Sequence, residues 1–182
     1  LSTTGTTLRA SSVDNRAGEL LSEGSLRIDS AEVNNQQGAM QTSNNLLVNV
    51  AGTLNNTLGL LRSGAELTLN SAALLNSQTR GEDQGIQADD INISSDAIDN
   101  QLGTLASANN ITLASSQLNN AQGQISAGNS LTLNADNLRI NNDAGRLIAG
   151  QQLTFNGQDI SGSGEILSLG DMALTFGDSF SN

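Results

Sequence analysis

Eight times along this chain an apolar residue is followed by a second five or six positions on, a third two further, and a fourth usually five or six beyond that. The sets run Leu20/Leu26/Ile28/Val33, Met40/Leu46/Val48/Leu54, Leu61/Leu67/Leu69/Leu74, Ile86/Ile91/Ile93/Ile98, Leu105/Ile111/Leu113/Leu118, Ile125/Leu131/Leu133/Leu138, Leu147/Leu153/Phe155/Ile160 and Ile166/Met172/Leu174/Phe180, with Leu8/Val13 as the tail of an earlier one. The commonest intervals, 7, 6, 2 and 5, sum to 20. A tandem period near twenty residues falls in the range where solenoids are expected, because one such repeat cannot bury its own apolar side and a stack can.

Within each repeat the two central apolar positions flank a polar one, as in Leu131-Thr132-Leu133, Ile111-Thr112-Leu113 and Leu67-Thr68-Leu69. A period of two puts both apolar side chains on one face of a strand, and Thr suits the solvent side of the pleat. Turn formers stand four positions after the first apolar residue, at Gly24, Asn44, Asp90, Asn109 and Asn129. A second corner follows the fourth apolar residue, at Asn34-Asn35, Asn55-Asn56, Asn119-Asn120 and Asn141-Asn142, and closes on a glycine such as Gly38, Gly59, Gly123 or Gly145. Gly and Asn are expected at these corners because they tolerate a left-handed backbone. No interval between corners is long enough for a stable helix.

At ~3.3 Å per residue, twenty residues make a contour of roughly 66 Å, which suits one turn of a coil with three short sides. The expected fold is all-β: a parallel β-helix of about eight to nine coils, roughly 20 residues per coil, on the order of 40 Å long at ~4.8 Å per coil. Asn15, Asn35, Asn56, Asn76, Asn100, Asn120 and Asn142 recur at one point of the coil. Stacked amides there can hydrogen-bond from coil to coil, so the column reads as scaffolding rather than as a binding site.

An array running from one end to the other makes residues 1–182 a single repeat segment, and the chain reads as an interior piece of something longer. It contains no His, Cys, Pro, Trp, Tyr or Lys, and all seven basic residues are Arg. The catalytic vocabulary is therefore thin, no thiolate metal site or disulfide framework is available, and no cofactor is implied. A net charge of -11 repels phosphate backbones and anionic lipid, so nucleic acid is set aside as a partner. No run approaches the roughly 18 apolar residues that span a bilayer, and the first residues lack the pattern of a signal peptide.

Residues 123–134, Gly-Gln-Ile-Ser-Ala-Gly-Asn-Ser-Leu-Thr-Leu-Asn, preceded by Leu118-Asn119-Asn120-Ala121-Gln122, resemble the haemagglutinin repeats of filamentous haemagglutinins. The resemblance covers essentially the whole chain. It implies a right-handed β-helical shaft within a large exoprotein of Gram-negative two-partner secretion, either an adhesin or a contact-dependent growth inhibition effector. It further implies a secreted or bacterial cell-surface location, an outer-membrane transporter as partner during secretion, and a receptor on a host or neighbouring bacterium. Shaft repeats carry no catalytic residues, so none is transferred here, and the segment itself is expected to be monomeric.

The repeat breaks at one place. From Leu74 to Ile86 the interval is 12 where 7 is usual, and the excursion is charged where regular corners are neutral. Insertions on solenoids map to loops and often to a binding face, which makes Arg80, Glu82 and Asp83 the candidate partner-contact loop. A two-residue lengthening between Leu138 and Leu147 brings Arg139 and Arg146 to one corner, a weaker candidate. Glu82, Asp83, Asp89 and Asp90 offer oxygen ligands, yet neither an EF-hand loop nor a Gly-Gly-x-Gly-x-Asp repeat is present, so a solvated acidic edge is favoured over a calcium site.

The rival from another class is a β-helical carbohydrate-active enzyme or carbohydrate-binding module. Glycoside chemistry needs two carboxylates within roughly 5 to 10 Å, whereas Asp14 and Asp99, which share a column, sit four coils apart, roughly 19 Å at the strand spacing. A leucine-rich repeat fails on register: its apolar residue stands three before the Leu-x-Leu pair, and here it stands six before. The reading is a non-enzymatic shaft segment that projects an adhesive or toxin module and possesses no metal or cofactor site.

Overall fold

The computed structural model describes residues 5–81 and 83–181, and within them the chain is a parallel β-solenoid of about nine turns with no helix. Each turn contributes one short strand to an eight-stranded sheet and one longer, bent strand or a pair of short ones to a twelve-stranded sheet. The turn that starts at residue 19 is representative: Glu19–Ser22 lies on the first face, and Leu26–Asn34 bends to supply both the second and the third. Strands pair only with their equivalents one coil away, in parallel register, as in Leu105↔Ile125↔Leu147 on the first face and Ile111↔Leu131↔Leu153 on the second.

The four apolar columns inferred from the spacing all point inward. Met40, Leu61, Ile86, Leu105, Ile125 and Leu147 stack on the first face, and the Leu-x-Leu pairs fill the second, with Phe155 in register between Leu133 and Leu174. These side chains are almost wholly sequestered, with Leu46, Leu69, Leu131 and Phe155 at 0% exposure. The expected outward Thr residues are indeed outside, Thr112 exposed and Thr132 half-buried. The last described turn departs from the pattern: Met172 and Phe180 hold their register opposite Leu153 and Ile160, no described coil covers their other side, and they are 43% and 50% exposed. Phe180 offsets part of this by stacking on Phe176, which in turn tilts against Phe155.

One column assignment changes. The register pairs Leu118 with Ile140, and Ile140 with Ile160, so Ile140 occupies the fourth column and not Leu138. Leu138 is buried as well, in the widened bend between the second and third faces, where its N–H closes a turn on the Ala135 carbonyl. The two extra residues of this coil therefore lie before Ile140, between faces, and the Asn141-Asn142 corner that follows is regular.

A fifth inward column, of small residues, accompanies the four apolar ones. Two positions beyond each first-face apolar residue stands a small one: Ser22, Thr42, Ser63, Ala88, Ser107, Ala127, Ala149 and Ser168. Period two sends these side chains inward again, close to the first corner, where there is room only for a small group. Some of the hydroxyls among them cap corner carbonyls: Ser63 Oγ lies within hydrogen-bond distance of Asn44 O at 2.6 Å and Glu66 O at 2.9 Å, and Thr42 Oγ1 donates to Gly24 O, whereas the buried Ser107 Oγ has no partner among the described residues.

Candidate functional site

The Asn-Asn corner divides its two amides between opposite sides of the wall. The first faces outward and its Oδ1 accepts the N–H two residues on, as Asn34 does from Gln36 at 3.1 Å and Asn55 from Thr57 at 3.0 Å. The second faces inward and is fully buried in every coil from Asn35 to Asn142. Its Nδ2 donates to the Oδ1 of the next Asn: Asn15 to Asn35 and Asn35 to Asn56 at 2.7 Å, then Asn56 to Asn76, Asn76 to Asn100, Asn100 to Asn120 and Asn120 to Asn142 at 2.8 Å. The second amide hydrogen serves a backbone carbonyl of the next coil, such as Leu60 O at 3.0 Å. This is an unbroken chain of polarised amides through an apolar interior, where satisfied hydrogen bonds strengthen one another and an unsatisfied one is costly.

The backbone of this corner does not follow the expected chemistry. The left-handed residue is neither Asn nor Gly; it is the one between them, Ala17, Gln37, Leu58, Gln78, Leu102, Gln122 and Ala144, with φ between 49° and 60°. The glycine that follows is required by space. A Cβ on Gly38 would lie 2.1 Å from the Asn15 carbonyl oxygen, and one on Gly123 would lie 2.2 Å from that of Asn100. Coils pack too closely here for a side chain, and the strain of a non-glycine left-handed residue, of order 1–3 kcal/mol, is carried by the surrounding bonds.

The insertion sits on this same corner. Asn76 keeps its place in the ladder, and Gly85 and Ile86 align with Leu60 and Leu61 of the preceding coil. The five additional residues are therefore 80–84, and Ser77, Gln78 and Thr79 belong to the regular corner. Of the candidate contact residues, Arg80 and Asp83 are exposed, while Glu82 lies outside the described residues. Arg80 and Asp83 diverge along the axis instead of converging: Arg80 donates to the carbonyl oxygen of Gln122, two coils ahead, and Asp83 accepts from Arg62 of the preceding coil at 3.2 Å. Arg139 and Arg146 are not joined either; Arg139 pairs with Asp159 and Arg146 with Glu165 at 2.7 Å, each on the following coil.

The acids are occupied in the same way. Asp90 accepts from the side chains of Asn109 and Asn110 and from the Asn110 backbone, and among the described residues no group of three acidic, His or Cys side chains is placed to hold a metal. Asp14 and Asp99 share the outward column of the third face and are separated by Asn34, Asn55 and Leu75. Asp29 is held at about 2, chiefly by its hydrogen bonds from Arg27, then by Asn49, with a contribution from Arg9. Asp14 is likewise lowered by the hydrogen bonds that Arg16 donates to it. These pairs are seams between side chains of a wall.

An open groove of about 550 Å³ runs along the bend between the second and third faces, lined by Asp29, Asn49, Val50, Asn70, Ser71 and Asp96. It contains no converging pair of carboxylates. The haemagglutinin repeat family profile matches residues 1–57, 41–101 and 83–157. The chain belongs to the haemagglutinin repeat family. No curated protein and no solved structure matches it. The haemagglutinin repeat is a structural repeat of adhesins and not an enzyme family, and its members are typically secreted or surface-associated. No helix among the described residues is long and apolar enough to cross a membrane.

Proposed function

We propose that this haemagglutinin-repeat segment is a shaft of a secreted bacterial surface filament, whose work is to hold an adhesive or toxin module at a distance from the cell. The observation that carries the reading is the continuity of six ladders, five columns of inward side chains and one of buried amides, through successive coils. A stack in which each strand pairs only with its equivalents in adjacent coils transmits position along one axis. In this role the receptor on a host or neighbouring bacterium is met by the distal module, the outer-membrane transporter is met during export, and the segment itself works as a single copy.

The test is to duplicate residues 104–123, one complete coil, several times within the surface-exposed protein. Reach measured by electron microscopy should grow by roughly 4.8 Å per added coil, while the identity of the cells contacted stays the same. Loss of cell contact in a variant whose β spectrum is intact would show that this stretch is itself the binding element.

A further inference from the structure

Six corners of the solenoid close in one way. The N–H of the glycine three residues after the buried Asn donates to that Asn's carbonyl, as Gly59 does to Asn56 and Gly103 to Asn100, both at 2.9 Å. The glycine's own carbonyl accepts from the strand that opens the next coil, as Gly38 does from Leu60 at 2.9 Å and Gly103 from Gln124 at 2.8 Å. At the seventh corner the residue three after Asn76 is Thr79, fully buried. Its hydroxyl takes both roles. Thr79 Oγ1 donates to Asn76 O at 2.9 Å and accepts from the N–H of Thr104, the strand opening of the next coil, at 3.1 Å. One side-chain oxygen thus satisfies the acceptor and the donor that a glycine peptide satisfies elsewhere, and the main chain is released at that point. It rejoins at Gly85, whose φ of 88° and whose place 2.4 Å from the Thr104 carbonyl, measured to an added Cβ, admit no side chain.

We propose that Thr79 is an adapter that makes this corner a loop-carrying point of the solenoid, so that residues after it can leave the wall and return at Gly85 without interrupting any ladder. If the segment is a shaft as proposed, this is where it can display a variable excursion. The inference about Thr79 itself stands on the hydrogen bonds alone.

The experiment couples residue 79 to the presence of the loop. Thr79→Val keeps the shape and removes the hydroxyl; exchange of the Thr104 amide should become about 5- to 30-fold faster, the factor for losing one buried hydrogen bond, whereas Thr79→Ser should retain the parent rate. Deleting 80–84 together with Thr79→Gly should restore a regular corner and melt at or above the parent temperature. The same deletion with Thr79 kept should melt lower, because a Cβ would then be forced toward the Asn56 carbonyl as at the glycine corners. Replacing 80–84 with a longer Gly/Ser stretch should leave melting nearly unchanged, since loop length costs little. Unchanged Thr104 exchange in Thr79→Val, or equal melting of the two deletions, overturns the adapter; if Thr79→Val does not fold, the deletion pair decides. A large fall in melting with the longer loop overturns the display role.

Discussion

A single amide in this wall is worth more than its contacts suggest, because Asn100 both accepts from Asn76 and donates to Asn120. Asn100→Ala would leave the Asn76 Nδ2 and the Asn120 Oδ1 short of a partner in an apolar interior, at about 1–3 kcal/mol for each orphaned group. Asn119→Ala, on the outer side of the corresponding corner one coil on, exposes its former partners to water and should cost less than about 1 kcal/mol. Urea unfolding of the two variants checks this, and equal losses would contradict a buried ladder. Asp29 makes a different prediction. Its folded-state value is depressed to about 2 against an unfolded value near 3.9, so the stabilisation it brings is fully present above about pH 4 and disappears as pH falls through about 2. Thermal melting should decline across that window, and Arg27→Gln should move the Asp29 carboxyl titration, followed by NMR, upward toward the ordinary carboxylate range. A titration midpoint that ignores Arg27 would show that the 2.8 Å pair in the structure does not persist in solution.

Strands here owe their placement to period two and their register to the corners. Leu113 is buried between Ile93 and Leu133, while Thr112 faces solvent between Asn92 and Thr132. Leu113→Asp would bury an unpaired charge and should cost several kcal/mol, whereas Thr112→Asp should stay within about 1 kcal/mol; comparable melting losses would reverse the inside and outside assignments. That assignment was readable from residues because alternation is a local property. The errors arose where the answer depends on the neighbouring coil. Leu138 and Ile140 are both apolar and both inside, and only the pairing of Ile140 with Leu118 and Ile160 decides which continues the column. The corner glycines looked like left-handed residues, yet what excludes a side chain at Gly38 or Gly123 is a carbonyl twenty or more residues earlier. The place of Thr79 within the long Leu74–Ile86 interval has no sequence signature; its role appears only once Thr104 lies above it. The small inward column, by contrast, was a periodic signal hidden by attention to large apolar residues.

The whole molecule behaves as a one-dimensional stack, since each strand pairs only with its equivalents in adjacent coils. Several ion pairs also join one coil to the next, Arg9 with Asp29, Arg139 with Asp159 and Arg146 with Glu165, while Arg16–Asp14 and Arg27–Asp29 lie within a coil and Arg139–Asp178 spans two. Exposed pairs like these contribute about 0–1 kcal/mol each, so cohesion rests on the apolar columns and the amide ladder. It follows that stability should be a sum over coils and their interfaces, and that the unit of permissible deletion is a coil and not a residue count. Removing 104–123 joins Gly103 to Gln124, whose register position is that of Thr104, and places Asn142 above Asn100. Such a variant should fold, with a scattering profile shorter by roughly 4.8 Å and a urea m-value lower in rough proportion to the surface lost. Removing only 104–113 joins the corner directly to the third face, leaves that coil without two sides, and breaks four of the five inward columns at once, sparing only that of Leu118. It should unfold or expose the apolar interior. Equal tolerance of the two deletions would mean that the columns do not hold the stack together, and the account of this fold as ladders of side chains would have to be abandoned.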